Sequence, residues 1–337
     1  PGAGASADVS AVGSAGGLVL GVDATKTGAV NTSSVTSYIA DNTTLNVAAA
    51  TTVAARNETK QMANSSSDAF GLIAAGITSA RVEADTTTDA YVGSNVNLTG
   101  GSLAVTASGS DDNYAETTAG SGGVVAGASA APVTVNTSTV NAELKDNSTI
   151  DLSTRGSGDV EIAADHTATF NSSVKSNAAG FLSGAGAESS HTITSNVNAN
   201  VGDDVTLTGR DIEITANNFV SKPLLENGEA NLQGSAKALV GIAGSFSDTV
   251  LALNTNVDVG DADITVKGTP SNDPVLQMHA YNQIDVAEKV NFTAGGLGAG
   301  ARVDTNIHAL TDEARVSVAD GAKLVSSGAV VMSARGS

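Results

Sequence analysis

Cysteine and tryptophan are absent from this 337-residue chain, and aromatic residues make up only 3% of it. Without cysteine there is no disulfide, no thiolate metal site and no cysteine nucleophile. With so few rings, a conventional globular core would be poorly filled. Basic residues are scarce too: 16 Lys and Arg against 35 Asp and Glu leave a net charge of −19. That balance repels phosphates, so nucleic acid and anionic membranes are poor partners. It suits a salty exterior and draws divalent cations. No apolar run approaches the roughly 20 residues of a membrane span, and no signal segment is visible. The five prolines, Pro1, Pro132, Pro223, Pro270 and Pro274, are read as lying outside strand cores, as a hydrogen-bonded ladder demands.

What is present is a six-fold repeat. Each copy ends in the pattern apolar, any, apolar, any, Ala: Thr51/Val53/Ala55, Leu103/Val105/Ala107, Val160/Ile162/Ala164, Ile212/Ile214/Ala216, Leu276/Met278/Ala280 and Val330/Met332/Ala334. The signature alanines recur every 50 to 65 positions or so, and self-similarity at a steady period of this order marks a solenoid or array. Before each signature come short alternating pieces broken by Gly, Asp or Asn, such as Val197–Val201, Val205–Leu207 and Ile212–Ile214. They read as half-buried strands joined by tight turns. Ile212 and Ile214 should point inward, with Glu213 and Thr215 outside.

Each copy opens instead on a small apolar run, for example Gly71–Gly76, Gly123–Gly127, Val240–Gly244 and Gly296–Gly300. Runs without a polar face suggest strands covered on both sides, by long loops of the same chain or by a neighbouring filament. The segments Asn57–Phe70, Ser108–Gly122, Asp165–Gly180, Asn217–Ala238 and Tyr281–Gly295 are read as partly looped out, Asn217–Ala238 most of all.

These features predict an all-β, right-handed parallel β-helix, the hand following the crossover rule. Two coils per repeat give roughly a dozen coils, a rod on the order of 60 Å long at ~4.8 Å per coil. Residues 1–337 form one segment with repeats near 17–70, 71–122, 123–180, 181–238, 239–295 and 296–337, read as a piece of something longer.

The order of a Gly/Ala run, then Asn and Thr, then "VGDDVTLTGRDIEITA" (Val201–Ala216) resembles the repeats of large bacterial surface proteins, the filamentous-haemagglutinin-like and leukotoxin-type adhesins. "YVGSNVNLTGGSLAVTA" (Tyr91–Ala107) and "VSVADGAKLVSSGAVVMSA" (Val316–Ala334) are similar to the same unit. The resemblance spans roughly residues 15–337. It implies an extracellular or cell-surface place and a stalk role in adhesion or biofilm, and brings no catalytic motif.

Acidic and amide residues recur at one turn: Asp41-Asn42, Ser94-Asn95, Asp146-Asn147, Asp203-Asp204, Asp261 with Asp263, and Asp320-Gly321. Asp and Asn favour turns through local bonds and tolerance of positive φ. A calcium ladder is the competing reading, with Asp203, Asp204, Asp261 and Asp263 as candidates. Two coils per copy would put equivalent turns about 10 Å apart, too far for one ion with bonds of ~2.3–2.6 Å. No other cofactor is implied. His166, His191, His279 and His308 lack any paired metal spacing and are read as solvent-facing or turn residues. Lys and Arg are isolated, and no copy departs from the pattern to build a cleft, so no catalytic residue is assigned. The reading is thus a non-catalytic structural segment of a secreted or surface filament that self-associates or meets a host glycan or protein. The alternatives are a glycan- or protein-binding β-helix and a polysaccharide-degrading one. Aromatic platforms would favour the first; three or more carboxylates beside a Lys or Arg would favour the second.

Overall fold

The computed structural model describes residues 5–153, 158–267 and 275–337. Pro1, Pro270 and Pro274 lie outside them. Nearly every element is a strand, and every strand pairing is parallel, in three sheets. The chain is a parallel β-helix.

Each repeat supplies a strand to each sheet, and the fourth and fifth each supply two to the front one. The back sheet holds Leu20–Ile39, Ile73–Val92, Val125–Leu144, Leu182–Val201, Val240–Val259 and Gly298–Val318. A short sheet follows, of three- or four-residue strands such as Asn97–Thr99 and Thr206–Gly209. The front sheet takes the chain back: Ala50–Phe70, Ser102–Gly122, Val160–Ala179, Ile212–Lys222, Val275–Val286 and Ala329–Gly336, preceded by Ala5–Gly16.

The pairing register corrects the coil count. Leu103 pairs with Val160, Val160 with Ile212, and Ile212 with Leu276. Neighbouring strands are therefore one repeat apart, and one repeat makes one coil instead of two. A strand of 20 residues at ~3.3 Å each spans about 65 Å, whereas six stacked strands rise only about 24 Å. The solenoid is a flattened blade, wider than it is tall, and not the long rod that two coils per repeat would build.

Segments expected to loop out are mostly the second halves of these long strands, as in Ala50–Phe70. In the fourth coil the chain leaves the front sheet between Lys222 and Leu232, through a turn of 3₁₀ helix at Glu226–Gly228, and rejoins the ladder as Leu232–Lys237; the fifth breaks more briefly after Val286 and resumes as Val290–Gly295. Pro132, expected outside strands, is buried within Val125–Leu144. The ladder to the next coil skips Glu188 and Ser189 opposite it, running from Ala130–Ala187 directly to Val133–Ser190. An imide nitrogen has no proton to give there.

The interior changes character along the strands. Beside the short sheet lie stacked aliphatic columns, with Leu98, Val105, Ile150, Ile162, Leu207, Ile212 and Ile214 all buried; Glu213 is outside, as the alternation requires. The midsection is rich in polar groups, with Thr59, Gln61, Asp111, Asn113, Asn136, His166, His191, Asn218 and Lys222 buried around a small apolar cluster of Phe170, Ile193, Val220, Leu251 and Leu253. At the far edge the two long sheets meet over small residues, Ala119, Ala126, Ala185 and Ala243. The Gly/Ala-rich starts form the corner there. They are not covered on both sides: Ala74, Ala126 and Ala243 point inward, while Leu72, Val124 and Phe181 are about half exposed.

Candidate functional site

The Asp/Asn turn joins each back strand to its short strand. Asn42, Asn95, Asn147 and Asp204 occupy the left-handed region there, with φ of 58°, 56°, 61° and 53°. Ahead of them, the carboxylates stitch coil to coil. Asp41 Oδ1 accepts from the Ser94 amide at 2.8 Å, Asp146 Oδ1 from Asp203 at 2.9 Å, and Asp203 Oδ1 from Asp261 at 2.9 Å. Asp203 and Asp261 therefore stand on adjacent coils, about 4.8 Å apart by strand spacing, half the separation that two coils per repeat would give. Asp204 takes the positive-φ position, and Asp263 opens the next short strand, where the fifth copy is a residue shorter. Among the described residues no group of three or more His, Asp or Glu is placed to hold a metal ion.

Two histidines expected at the surface are inside. His166, on the front sheet, sits between coils: its Nε2 meets Asp111 Oδ2 at 3.0 Å, and its Nδ1 meets Ser195 Oγ of the back sheet at 2.8 Å. Asp111 also accepts from Thr59 at 2.5 Å, from Asn136 at 3.3 Å and from Ser138. Burial pushes the Asp111 carboxyl up, but the His166 hydrogen bond and charge, then Ser138 and Thr59, outweigh it and hold it below its ordinary value. Ser–His–Asp contacts of this kind build nucleophiles where a substrate can enter. Here all three side chains are sealed between the sheets, and the constellation joins coils.

His191 packs against Phe170, ring centroids 5.1 Å apart, with Nε2 near Ser189 Oγ at 3.0 Å and Ser172 Oγ at 3.2 Å. Burial, with the charge of Lys222, holds its imidazole well below the ordinary 6.5. Lys222 itself is buried and pairs with Glu288 at 2.7 Å, while Ser247 gives the other carboxylate oxygen a hydrogen bond at 2.6 Å. Burial lowers the Lys222 ammonium despite that partner. His279 is half-buried and His308 exposed, as a surface reading requires.

Two outward hollows carry chemistry. The first, about 520 Å³ on the front sheet, is lined by Asp159, Glu161, Asp211 and Glu213 together with Gln277. Arg210 bridges Asp159 at 2.8 Å and Asp211 at 3.3 Å. Glu161 and Glu213 are register partners on adjacent coils, with no ion pair among the described residues. Sequence reasoning missed this cleft because its carboxylates come in pairs from two successive repeats and meet only once one repeat is one coil. The second hollow, about 310 Å³ on the back sheet, is lined by Asp89, Tyr91, Asn141, Glu143, Lys145 and Asn200. Tyr38 stacks on Tyr91 at 5.1 Å and Lys145 lies 3.7 Å from the Tyr91 ring centre. Beside it an amide ladder climbs the coils: Asn141 to Asp89, Asn198 to Asn141 and Asn256 to Asn198, at 2.8, 2.9 and 3.1 Å.

The chain matches no protein-family model, no curated protein and no solved structure.

Proposed function

We propose that this chain is a non-catalytic structural segment of a secreted or cell-surface filamentous adhesin or matrix protein. The observation that carries the reading is the backbone ladder that runs through all six repeats, reinforced outside by the Asp89–Asn256 amide ladder and inside by coil-to-coil contacts such as Asp111–His166. Bonds that run along the stacking axis resist extension along it, and each coil contacts chiefly its neighbours. Its rise per residue is small, so the segment contributes breadth and stiffness more than reach.

The acidic cleft favours a second reading, a β-helix acting on polysaccharide, with Glu161 and Glu213 as the carboxylates and Arg210 as a substrate-binding cation. One experiment separates the two. Antibody labelling of intact source cells, paired with incubation of the purified chain on neutral and acidic polysaccharides, should give surface labelling and no release of sugar ends. Sugar release that is lost in Glu161→Gln and Glu213→Gln would establish the second reading over the first.

A further inference from the structure

The corner where front strands turn into back strands carries one large apolar tip per coil: Leu18, Leu72, Val124, Phe181, Leu239 and Leu297, exposed between 38% and 91%. The residues after several of these, Ile73 and Leu182 among them, are also exposed. Together they make one apolar stripe continuous over six coils, unlike the singly scattered apolar residues of an ordinary surface. No described segment of the chain covers it.

Charge sets this edge apart. The outward positions from the Phe70 column to the Arg302 column hold none of the 35 acidic residues, and only Lys237 and Arg302 are charged. A chain with net charge −19 repels its own copies everywhere except where its acids are missing. Period points the same way. The tips recur at the strand spacing of ~4.8 Å, and a surface that meets all six in register needs that same period.

We propose that this corner ridge is an interface between two copies of this chain, packed ridge against ridge about a two-fold axis, so that each patch meets itself. Glycines beside the tips, such as Gly71, Gly123 and Gly180, keep the corner low and let the two edges approach closely. The interface does not depend on whether the chain acts as a stalk.

Sedimentation equilibrium of the whole chain tests this. The wild type should be dimeric, and Leu72→Glu/Val124→Glu/Phe181→Glu should weaken association at least tenfold with its circular dichroism spectrum and melting temperature retained. Thr137→Glu/Thr194→Glu, elsewhere on the back sheet, should leave the dimer intact. If the triple variant loses its fold, Leu72→Gln/Phe181→Gln gives the same comparison without added charge. A wild type monomeric at roughly 100 μM would overturn the proposal. So would association that survives in the ridge variants, which would place the contact on the open strand edges. Ridge-dependent binding to phosphatidylcholine vesicles by a monomeric wild type would overturn it in favour of a lipid surface.

Discussion

The two halves of each coil's interior solve the same packing problem with opposite chemistry. Beside the short sheet, Val, Leu and Ile stack in columns, each residue touching its equivalent in the next coil. Farther along the same strands, the columns hold Thr, Asn, His, Asp and Lys. The aliphatic end is non-directional and tolerates any neighbour of similar volume. The polar midsection is specific: Asp111 needs His166 one coil on, and Lys222 needs Glu288. A coil stacked on the wrong neighbour would leave a charge buried and unpaired. The cost of that specificity is visible in Gln61, Asn113 and Thr134, which bury side-chain atoms without a protein partner.

The largest expected effect breaks that pairing. Lys222→Met should destabilise by about 3–5 kcal/mol, because the buried Glu288 carboxylate loses its counter-charge and keeps only the Ser247 hydrogen bond, while Lys222→Met/Glu288→Leu should recover most of the loss. In the aliphatic end, Ile214→Ala should cost about 2–5 kcal/mol for a cavity, and no second substitution of a neighbour should restore it. Denaturant unfolding of these three variants beside the wild type checks both. A Lys222→Met cost below about 1 kcal/mol would mean that the midsection is wet, and the contrast between the two ends would fail.

A smaller effect separates the ends by pH. His191 is held unprotonated in the fold, whereas the unfolded chain takes up the proton below about 6.5. More protons on the unfolded state mean stability that falls as pH drops. Melting temperature should therefore decrease from about pH 7.5 to about pH 5.5, and less so in His191→Gln. Asp111 is the opposite kind of group with the same sign: its carboxyl is lowered in the fold, so its contribution is present above its ordinary 3.8 and lost as pH falls beneath it. A melting temperature unchanged across the histidine range would contradict the burial of His191.

The aliphatic end is also the part that could be read from the sequence. There the alternation of Ile212, Glu213 and Ile214 matches the period of a strand with one buried face. The parallel β-helix, the inward direction of the signatures and the Asn turns all follow from it. The midsection is illegible for a physical reason. Thr59, Gln61, Asn113 and His166 point inward but look like surface residues, so apolar alternation is interrupted partway along the strands that carry them. Where that happens the long strands read as short ones, Asn57–Phe70 reads as a loop, and one coil reads as two. The carboxylate cleft and the Asp111–His166 pair are hidden by the same misreading, since both are made by neighbouring coils. The exposed corner misleads differently. Gly and Ala there serve a tight turn between two long sheets, and a run without a polar face marks an edge that nothing described in the chain covers.

One repeat forming one coil is the claim on which the rest depends, and one distance tests it. The chain has no native cysteine, so Ala54→Cys/Ser333→Cys can carry two spin labels on a single outward column. That column runs from Ala54 through Thr106, Ala163, Thr215 and His279 to Ser333. Five strand spacings separate its ends, so pulsed dipolar spectroscopy should give a distance of about 24 Å. Two coils per repeat would double the separation, and a measured distance of about 48 Å would contradict the account.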